Sequence, residues 1–276
     1  MEFESYDALA FRWAYGFESN LERNILVSIE CYQVALSGLR SKTEEGNIYK
    51  RLGNSSNELG VFYMNTAMSM INDTANEPVL RCLEELWKKS GARLSCGIEA
   101  FDKIGDSVNV GLVNANLGRL MRLCAQSHAE LQGGGREFTP QERHCYLKAA
   151  SYYLTAREKL QSREACTDIW DSISWELSST YFNMATQLQD YAPLSSHSRE
   201  EVEKEVTDCM TKALKYCDLD TQTAQLPVRQ YRGATIQHRL ASLYHNAFRG
   251  QLPDCRRVSS GGSTCARWQS FTMVVR

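Results

Sequence analysis

Cysteine and histidine pairs are the residues of this 276-residue chain whose spacing could support metal chemistry. Cys124 and His128 are four residues apart, on one face of a predicted helix, and His144 and Cys145 follow after a glycine-rich stretch. Such ligands can bind zinc, but packed thiols and helix-surface histidines explain the same residues. The chain contains no Cys-x-x-Cys pair. We therefore expect no bound metal and no cofactor.

The familiar catalytic signatures are missing from the sequence. It contains no Walker loop, nucleophile elbow, His-Glu-x-x-His motif or dinucleotide fingerprint. The glycines at 133–135 lack the preceding strand that a phosphate loop needs, so they are interpreted as a linker. His238 and His245 share a helix face without a carboxylate or cysteine at ligand spacing. The sequence thus predicts no catalytic residues and a protein that is not an enzyme.

Composition restricts the class of protein further. Hydrophobic residues make up 43% of the chain, so a core can form, and no apolar run is long enough to span a membrane. The acidic, mixed start of the chain does not resemble a secretory signal. We expect the ten evenly spread cysteines to be free and mostly buried in a reducing compartment.

Charge is distributed unevenly along the chain, although its total is only −2. Residues 164–225 hold 12 acidic and 4 basic residues, whereas residues 226–276 hold 8 arginines and one aspartate. Solvated helix faces account for both regions. The alternative is an acidic partner, protein or DNA, near four arginines of the basic region: Arg229, Arg232, Arg239 and Arg249. Without interleaved aromatic residues, direct DNA reading has weak support.

The predicted fold class is all-α. Five prolines leave long segments without helix breakers, and apolar residues recur at three and four positions, as in Ile25–Leu39 and Leu147–Leu160. We predict a helical lead-in at 1–18, one helical repeat domain at 19–251 and an irregular or disordered tail at 252–276.

Turn and capping residues predict where some helices begin. Thr139, Pro140 and Glu142 form an N-cap, a first-turn proline and a capping-box glutamate. Loops are predicted at 192–196 and at 218–226.

An internal repeat is visible in four ungapped windows: ELGVFYMN at 58–65, NLGRLMRL at 116–123, ELSSTYFN at 176–183 and RLASLYHN at 239–246. Each has a leucine, then a small residue, and a tyrosine or methionine four residues after the leucine. The shared positions are Leu59, Gly60, Tyr63, Leu117, Gly118, Met121, Leu177, Ser178, Tyr181, Leu240, Ala241 and Tyr244. We predict that the leucine and the aromatic form a buried stripe, while the small residue lets a second helix approach.

This pattern resembles the first helix of a tetratricopeptide (TPR) repeat, which predicts an α-solenoid of helix pairs. The clearest second-helix candidate contains Ala149, Tyr153 and Ala156. Weaker ones contain Cys96 with Ala100, and Cys209 with Ala213 and Cys217. The window leucines are 58, 60 and 63 residues apart rather than 34, which indicates long helices. An unrelated all-α bundle is the alternative.

Three longer segments resemble the erythroid differentiation-related factor family: YKRLGNSSNELGVFYMN at 49–65, KALKYCDLD at 212–220 and QYRGATIQHRLASLYHNAFRGQ at 230–251. The likeness runs from about residue 20 to Gln251 and then stops, which suggests an alternative terminus. Since those proteins are much longer, the chain corresponds to a piece of one. The resemblance implies a nuclear protein linked to transcription in erythroid differentiation; a cytoplasmic location is the alternative.

Residues beside the repeat stripe are the predicted partner-binding residues. In a stack of helix pairs, the first helices line a concave groove that can hold a peptide, another protein or part of the transcription machinery. The candidates are Asn57, Asn65, Arg119, Arg122, Trp175, Phe182, Asn183, His238 and Asn246. Three asparagines recur six residues after the window leucine, so with the two arginines they could form a polar ladder for an extended or acidic peptide. The same residues could instead join neighbouring helices.

Overall fold

The structure of the chain is a computed structural model that describes residues 20–38, 42–71, 77–130, 136–219 and 226–251. Within these ranges the regular secondary structure is α-helical, which confirms the predicted fold class. The helices in these ranges are α1 (Leu21–Gly38), α2 (Lys42–Ile71), α3 (Glu77–Lys103), α4 (Ser107–Glu130), α5 (Pro140–Leu160), α6 (Thr167–Asp190), α7 (Arg199–Cys217) and α8 (Leu226–Gln251). The predicted lead-in at 1–18 and the predicted tail at 252–276 lie outside the described residues.

The helices are arranged as successive pairs. The most extensive packing joins α2 to α3, α4 to α5 and α6 to α7, and smaller interfaces join each pair to the next. The first helices of neighbouring pairs also contact each other, α2 with α4 and α4 with α6. Pairs that stack in this order are the topology that the repeated windows predict.

Capping residues define the starts of two second helices. The Thr139 hydroxyl accepts a hydrogen bond from the Glu142 amide, and the Glu142 carboxylate accepts one from the Thr139 amide. This capping box, followed by Pro140 in the first turn, confirms the predicted start of α5. Ser198 and Glu201 form a second capping box at α7, which the Ser-x-x-Glu spacing could have revealed.

The repeat stripe is buried in the first three windows. Leu59 and Leu177 are completely buried, Leu117 nearly so, and Tyr63 and Tyr181 are only 5% and 7% exposed. Met121 is half-buried. The prediction is confirmed for the three leucines and the two tyrosines, but not for Met121.

The small window residues allow a second helix to approach closely. A Cβ atom on Gly60 would lie 2.7 Å from the side chain of Leu94 on α3, and one on Gly118 would lie 2.9 Å from the ring of Tyr153 on α5. In the third window, the Ser178 hydroxyl donates a 2.8 Å hydrogen bond to the Ala213 carbonyl on α7. The small residue therefore has one role, close helix contact, in all three pairs.

Some predicted core residues are in fact exposed. Leu147 and Leu154 are 51% and 41% exposed, because α5 packs through Tyr146, Tyr153 and several alanines instead. Cys82 and Cys96 are exposed, so the expectation of buried thiols is wrong for these two, although all eight cysteines of the described residues are free.

The chain divides into two compact units, Met1–Ile236 and Gln237–Arg276. The fourth window lies in the second unit, where Leu240 is half-buried, Ala241 is exposed and Tyr244 is 57% exposed. The predicted burial of Tyr244 is therefore wrong. The described part of this unit contains only the end of α8, so it supplies no second helix to cover the stripe.

No helix among the described residues has the length and apolar character needed to cross a membrane.

Candidate functional site

The candidate site is the surface that α2, α4 and α6 present beside their packing stripes, here called the first-helix face. It contains seven of the nine predicted partner-binding residues: Asn57, Asn65, Arg119, Arg122, Trp175, Phe182 and Asn183. Three of these residues are exposed or half-buried at the surface, and the other four form contacts between helices.

A groove of about 580 Å³ lies between α1 and α2 at the start of this face. Its apolar lining comes from Leu21 and Ile25 on α1 and from Val61 and Phe62 on α2. Asn57 and Asn65 also line it. Apolar side chains beside amide groups can hold an extended peptide, because an asparagine side chain can both donate to and accept from a peptide backbone.

Val61 and Phe62 were missing from the predicted site. They occupy the two free positions of the Leu-small-x-x-Tyr pattern, whereas the repeat prediction depends only on its fixed positions. Both are half-buried, since they lie between the packing stripe and solvent. An apolar residue at a free position was the signal that could have identified them.

Asn57 and Arg122 join neighbouring first helices. The Asn116 side-chain amide on α4 donates a 2.8 Å hydrogen bond to Asn57 Oδ1 on α2. Arg122 on α4 donates a 2.7 Å hydrogen bond to Glu176 on α6. The Tyr153 hydroxyl donates to the same carboxylate at 3.4 Å. These two predicted binding residues thus fix the positions of adjacent pairs.

Trp175 and Phe182 contact an arginine side chain and do not form an open binding surface. The Arg232 guanidinium carbon lies 4.7 Å from the Trp175 ring centroid and 4.6 Å from that of Phe182. Arg232 also donates a 3.2 Å hydrogen bond to the Ser179 hydroxyl. Burial lowers the pKa of Arg232 from its ordinary value. The two aromatic rings therefore stabilise the contact between α8 and α6.

Asn65, Arg119 and Asn183 remain accessible on the first-helix face. Asn65 and Arg119 are exposed, and Asn183 is half-buried. His238 and Asn246 are exposed as well, but they belong to the second unit. Their role in binding a partner, including the proposed asparagine ladder, stays a prediction.

The arginines of the basic region do not form one exposed surface. Arg229 is 1% exposed and donates hydrogen bonds to Asp218 at 3.3 Å and to the Asp171 carbonyl at 3.4 Å. Arg232 is enclosed by Trp175 and Phe182, Arg239 is half-buried and Arg249 is exposed. Two of the four predicted arginines thus lie in helix contacts, which sequence spacing alone did not reveal.

The cysteine and histidine pairs have little ligand character. Burial and the neighbouring Cys145 raise the pKa of Cys124 to about 12, which keeps the thiol protonated at neutral pH. Burial also raises the pKa of Cys145. Among the described residues, no three histidine, cysteine or carboxylate side chains are grouped so that they could hold a metal ion.

Comparison with known proteins places the helix pairs in a family. A family model described as Erythroid differentiation-related factor 1-like, TPR repeats, matches residues 48–260, which extends beyond Gln251. The chain is 46% identical over 256 residues to proteins of Pongo abelii and Homo sapiens, and over 253 residues to one of Mus musculus. All three are named Erythroid differentiation-related factor 1. The alignments cover 88% of this chain but only 20–21% of those relatives.

Among solved structures, a chain from work titled "Computational Design of Self-Assembling Cyclic Protein Homooligomers" aligns over 91% of this chain and 94% of its own length. Its TM-score is 0.35 and its sequence identity is 8%, so this alignment does not establish a shared fold.

Proposed function

Because this chain belongs to the erythroid differentiation-related factor 1-like family of TPR repeat proteins, we propose that it is a non-enzymatic scaffold that binds other proteins through its first-helix face. Stacked TPR-like pairs bury their own stripes and leave the first helices beside one another. A surface of this kind suits extended peptides or partner helices.

One observation carries this proposal. Hydrogen bonds fix α2 to α4 and α4 to α6, while Asn65, Arg119 and Asn183 stay accessible on the same three helices. Their side chains are thus presented from a rigid support, and binding loses less entropy when the binding groups are already held in place.

The partner that this surface suits best is an extended segment with acidic side chains. Arg119 is exposed and provides a positive charge, whereas the charge of Arg122 is already paired with Glu176. The accessible amides of Asn65 and Asn183 can pair with the peptide backbone of such a segment. The apolar residues Val61 and Phe62 provide contact area in the groove at α2.

The family suggests the setting for this binding. The relatives carry the name Erythroid differentiation-related factor 1. On the basis of this name we propose that the chain acts in the nucleus, where it recruits proteins that regulate transcription. The chain spans about a fifth of the length of those relatives, so this role is a proposal for the chain and is not carried over from the whole relative. Direct binding of DNA by the arginine-rich region has less support, because Arg229 is buried.

Affinity capture from erythroid nuclear extract tests the proposal. The full chain is immobilised and compared with Arg119→Glu and with Lys88→Glu, a matched charge reversal at an exposed position on the second helix α3. We expect the proteins captured by the unmodified chain to be retained by Lys88→Glu and lost from Arg119→Glu. Equal capture by both variants would show that the first-helix face is not the binding surface.

Two further arms separate the alternatives. Nuclease treatment of the extract should leave capture unchanged; loss of the partners after nuclease would favour the DNA-binding alternative. The double variant Asn65→Ala, Asn183→Ala should reduce capture while the free energy of unfolding changes by less than about 1 kcal/mol, as is usual for surface sites. If this variant unfolds, the two asparagines are structural.

A further inference from the structure

The exposed stripe on α8 is a second apolar surface. Tyr244 and Phe248 are 57% and 53% exposed, four residues apart on one helix face, and Leu240 continues the stripe one turn earlier. Leu240, Ala241 and Tyr244 are the window residues that correspond to Leu177, Ser178 and Tyr181 of α6. In α6 this stripe is covered by α7.

We infer that this stripe docks an amphipathic helix of a partner protein, acidic in its first half, in the way that α7 docks on α6. The surface is separate from the first-helix face, so the inference does not depend on the proposed function. Two observations identify the occupant: the geometry repeated in the three complete pairs and the charge of α8.

The repeated geometry specifies the shape of the docking helix. In each complete pair the second helix comes within van der Waals contact of the small window residue, through Leu94, Tyr153 or Ala213. Ala241 occupies that position in α8 and is exposed. A docking helix must therefore place one residue directly against Ala241, as Leu94, Tyr153 and Ala213 are placed in the complete pairs, with apolar residues on either side for Leu240 and Tyr244.

The charge of α8 indicates which charge the partner helix carries. Residues 237–251 contain no acidic residue, and His245 and Arg249 near the end of α8 are both exposed. In a helix pair, the end of the first helix lies beside the start of the second. The second helix α7 has such an acidic first half, with Glu200, Glu201, Glu203, Glu205 and Asp208, although there Glu205 pairs with Arg143 of α5, since the last turn of α6 holds no basic residue. A second copy of residues 237–251 supplies no acidic residue that could pair with Arg249, which disfavours a second copy of this chain as the occupant.

A labelled peptide with the sequence of residues 198–217 is a suitable probe, because it carries the Ser198 capping box and the stripe of α7. Fluorescence anisotropy measures its binding to the full-length chain. We expect binding that weakens as salt is added. The double variant Tyr244→Ser, Phe248→Ser should bind the peptide at least tenfold more weakly. Tyr231→Ser, an equally polar change at a residue of α8 that is 77% exposed, should bind it normally.

Two more variants test the close approach. Ala241→Leu in the chain and Ala213→Leu in the peptide each fill the position where the helices cross, so each should weaken binding. Because Ala241, Tyr244 and Phe248 are exposed, circular dichroism should show unchanged helicity for all chain variants. Absence of peptide binding to the unmodified chain, or equal binding to every variant, would overturn the inference.

Sedimentation of the full chain without peptide tests the other occupants. We expect a monomer whose Tyr244 is accessible to hydroxyl radicals. A dimer that dissociates in the Tyr244→Ser, Phe248→Ser variant would make a second copy the occupant, and a monomer with protected Tyr244 would make residues 252–276 the occupant. Either result would overturn the inference.

Discussion

The window of α6 and the window of α8 have the same sequence pattern but different surroundings. Leu177, Ser178 and Tyr181 are buried against α7, whereas Leu240 is half-buried and Ala241 and Tyr244 are exposed. The pattern therefore specifies a helix with an apolar stripe and a position for close approach. Whether the stripe is buried depends on a second helix, which the window itself does not encode.

Removal of a buried stripe residue should give the largest difference between the two windows. Leu177→Ala leaves a cavity at a site with no exposed surface and should lower the free energy of unfolding by about 2–5 kcal/mol. Tyr244→Ala should lower it by about 0.5 kcal/mol or less, because more than half of the side chain is already in solvent. Urea denaturation of both variants measures the difference, and equal losses would mean that the α8 stripe is packed.

The predictable part of the fold follows from interactions that are local in sequence. Helical periodicity, the Thr139 capping box and the Leu-small-x-x-Tyr windows each depend on residues within two turns of a helix. They were sufficient for the all-α class, for the start of α5 and for three buried stripes.

The candidate site was harder to predict, since contacts between helices decide which polar residues are available. Arg122 shares a window with Arg119, and Asn57 directly precedes the window that contains Asn65. Asn57 and Arg122 nevertheless bind α4 and α6, whereas Asn65 and Arg119 face solvent. The partners Asn116 and Glu176 lie more than 50 residues away in sequence. Arg232 covers Trp175 and Phe182 over a similar separation. Neither pairing has a spacing that periodicity can reveal.

A larger side chain at the small window position should give the second-largest difference in stability between the windows. Gly60→Leu places side-chain atoms where Leu94 already lies and should cost about 1–3 kcal/mol in unfolding free energy. Ala241→Leu, the corresponding change in α8, should leave the stability nearly unchanged. Thermal melts that shift equally for both variants would contradict the difference in packing between these windows.

The lateral contact between first helices should contribute less. The Arg122 and Glu176 side chains are 16% and 33% exposed, and their coupling in a double-mutant cycle should be about 1 kcal/mol. The pair Lys212 and Asp208, within α7, is about half exposed and should show about 0.3–0.5 kcal/mol. Coupling no larger than that of the Lys212 pair would mean that Arg122 is available to bind a partner.

Lowering the pH should produce the smallest change in stability, and this change should come from an ion pair in the first unit. Arg163 donates two hydrogen bonds, of 2.7 and 2.8 Å, to Asp171, and these hold the Asp171 pKa below its ordinary value. A lowered folded-state pKa stabilises the fold above the unfolded-state value of about 3.9, and this stabilisation is lost as pH falls through the folded-state pKa.

The melting temperature of the unmodified chain should therefore decline more steeply below about pH 4 than that of Asp171→Asn. Parallel declines for the two proteins would show that this ion pair does not contribute to the stability of α6.

Hydroxyl-radical footprinting of tyrosines in the full chain tests most directly the claim that one sequence pattern is buried only where a second helix covers it. Tyr63 and Tyr181 are 5% and 7% exposed and Tyr244 is 57% exposed, so Tyr244 should be oxidised several-fold faster than either of the others. The fully buried Tyr153 provides a reference for the slowest rate. Oxidation of Tyr244 at the rate of Tyr63 and Tyr181 would contradict the account.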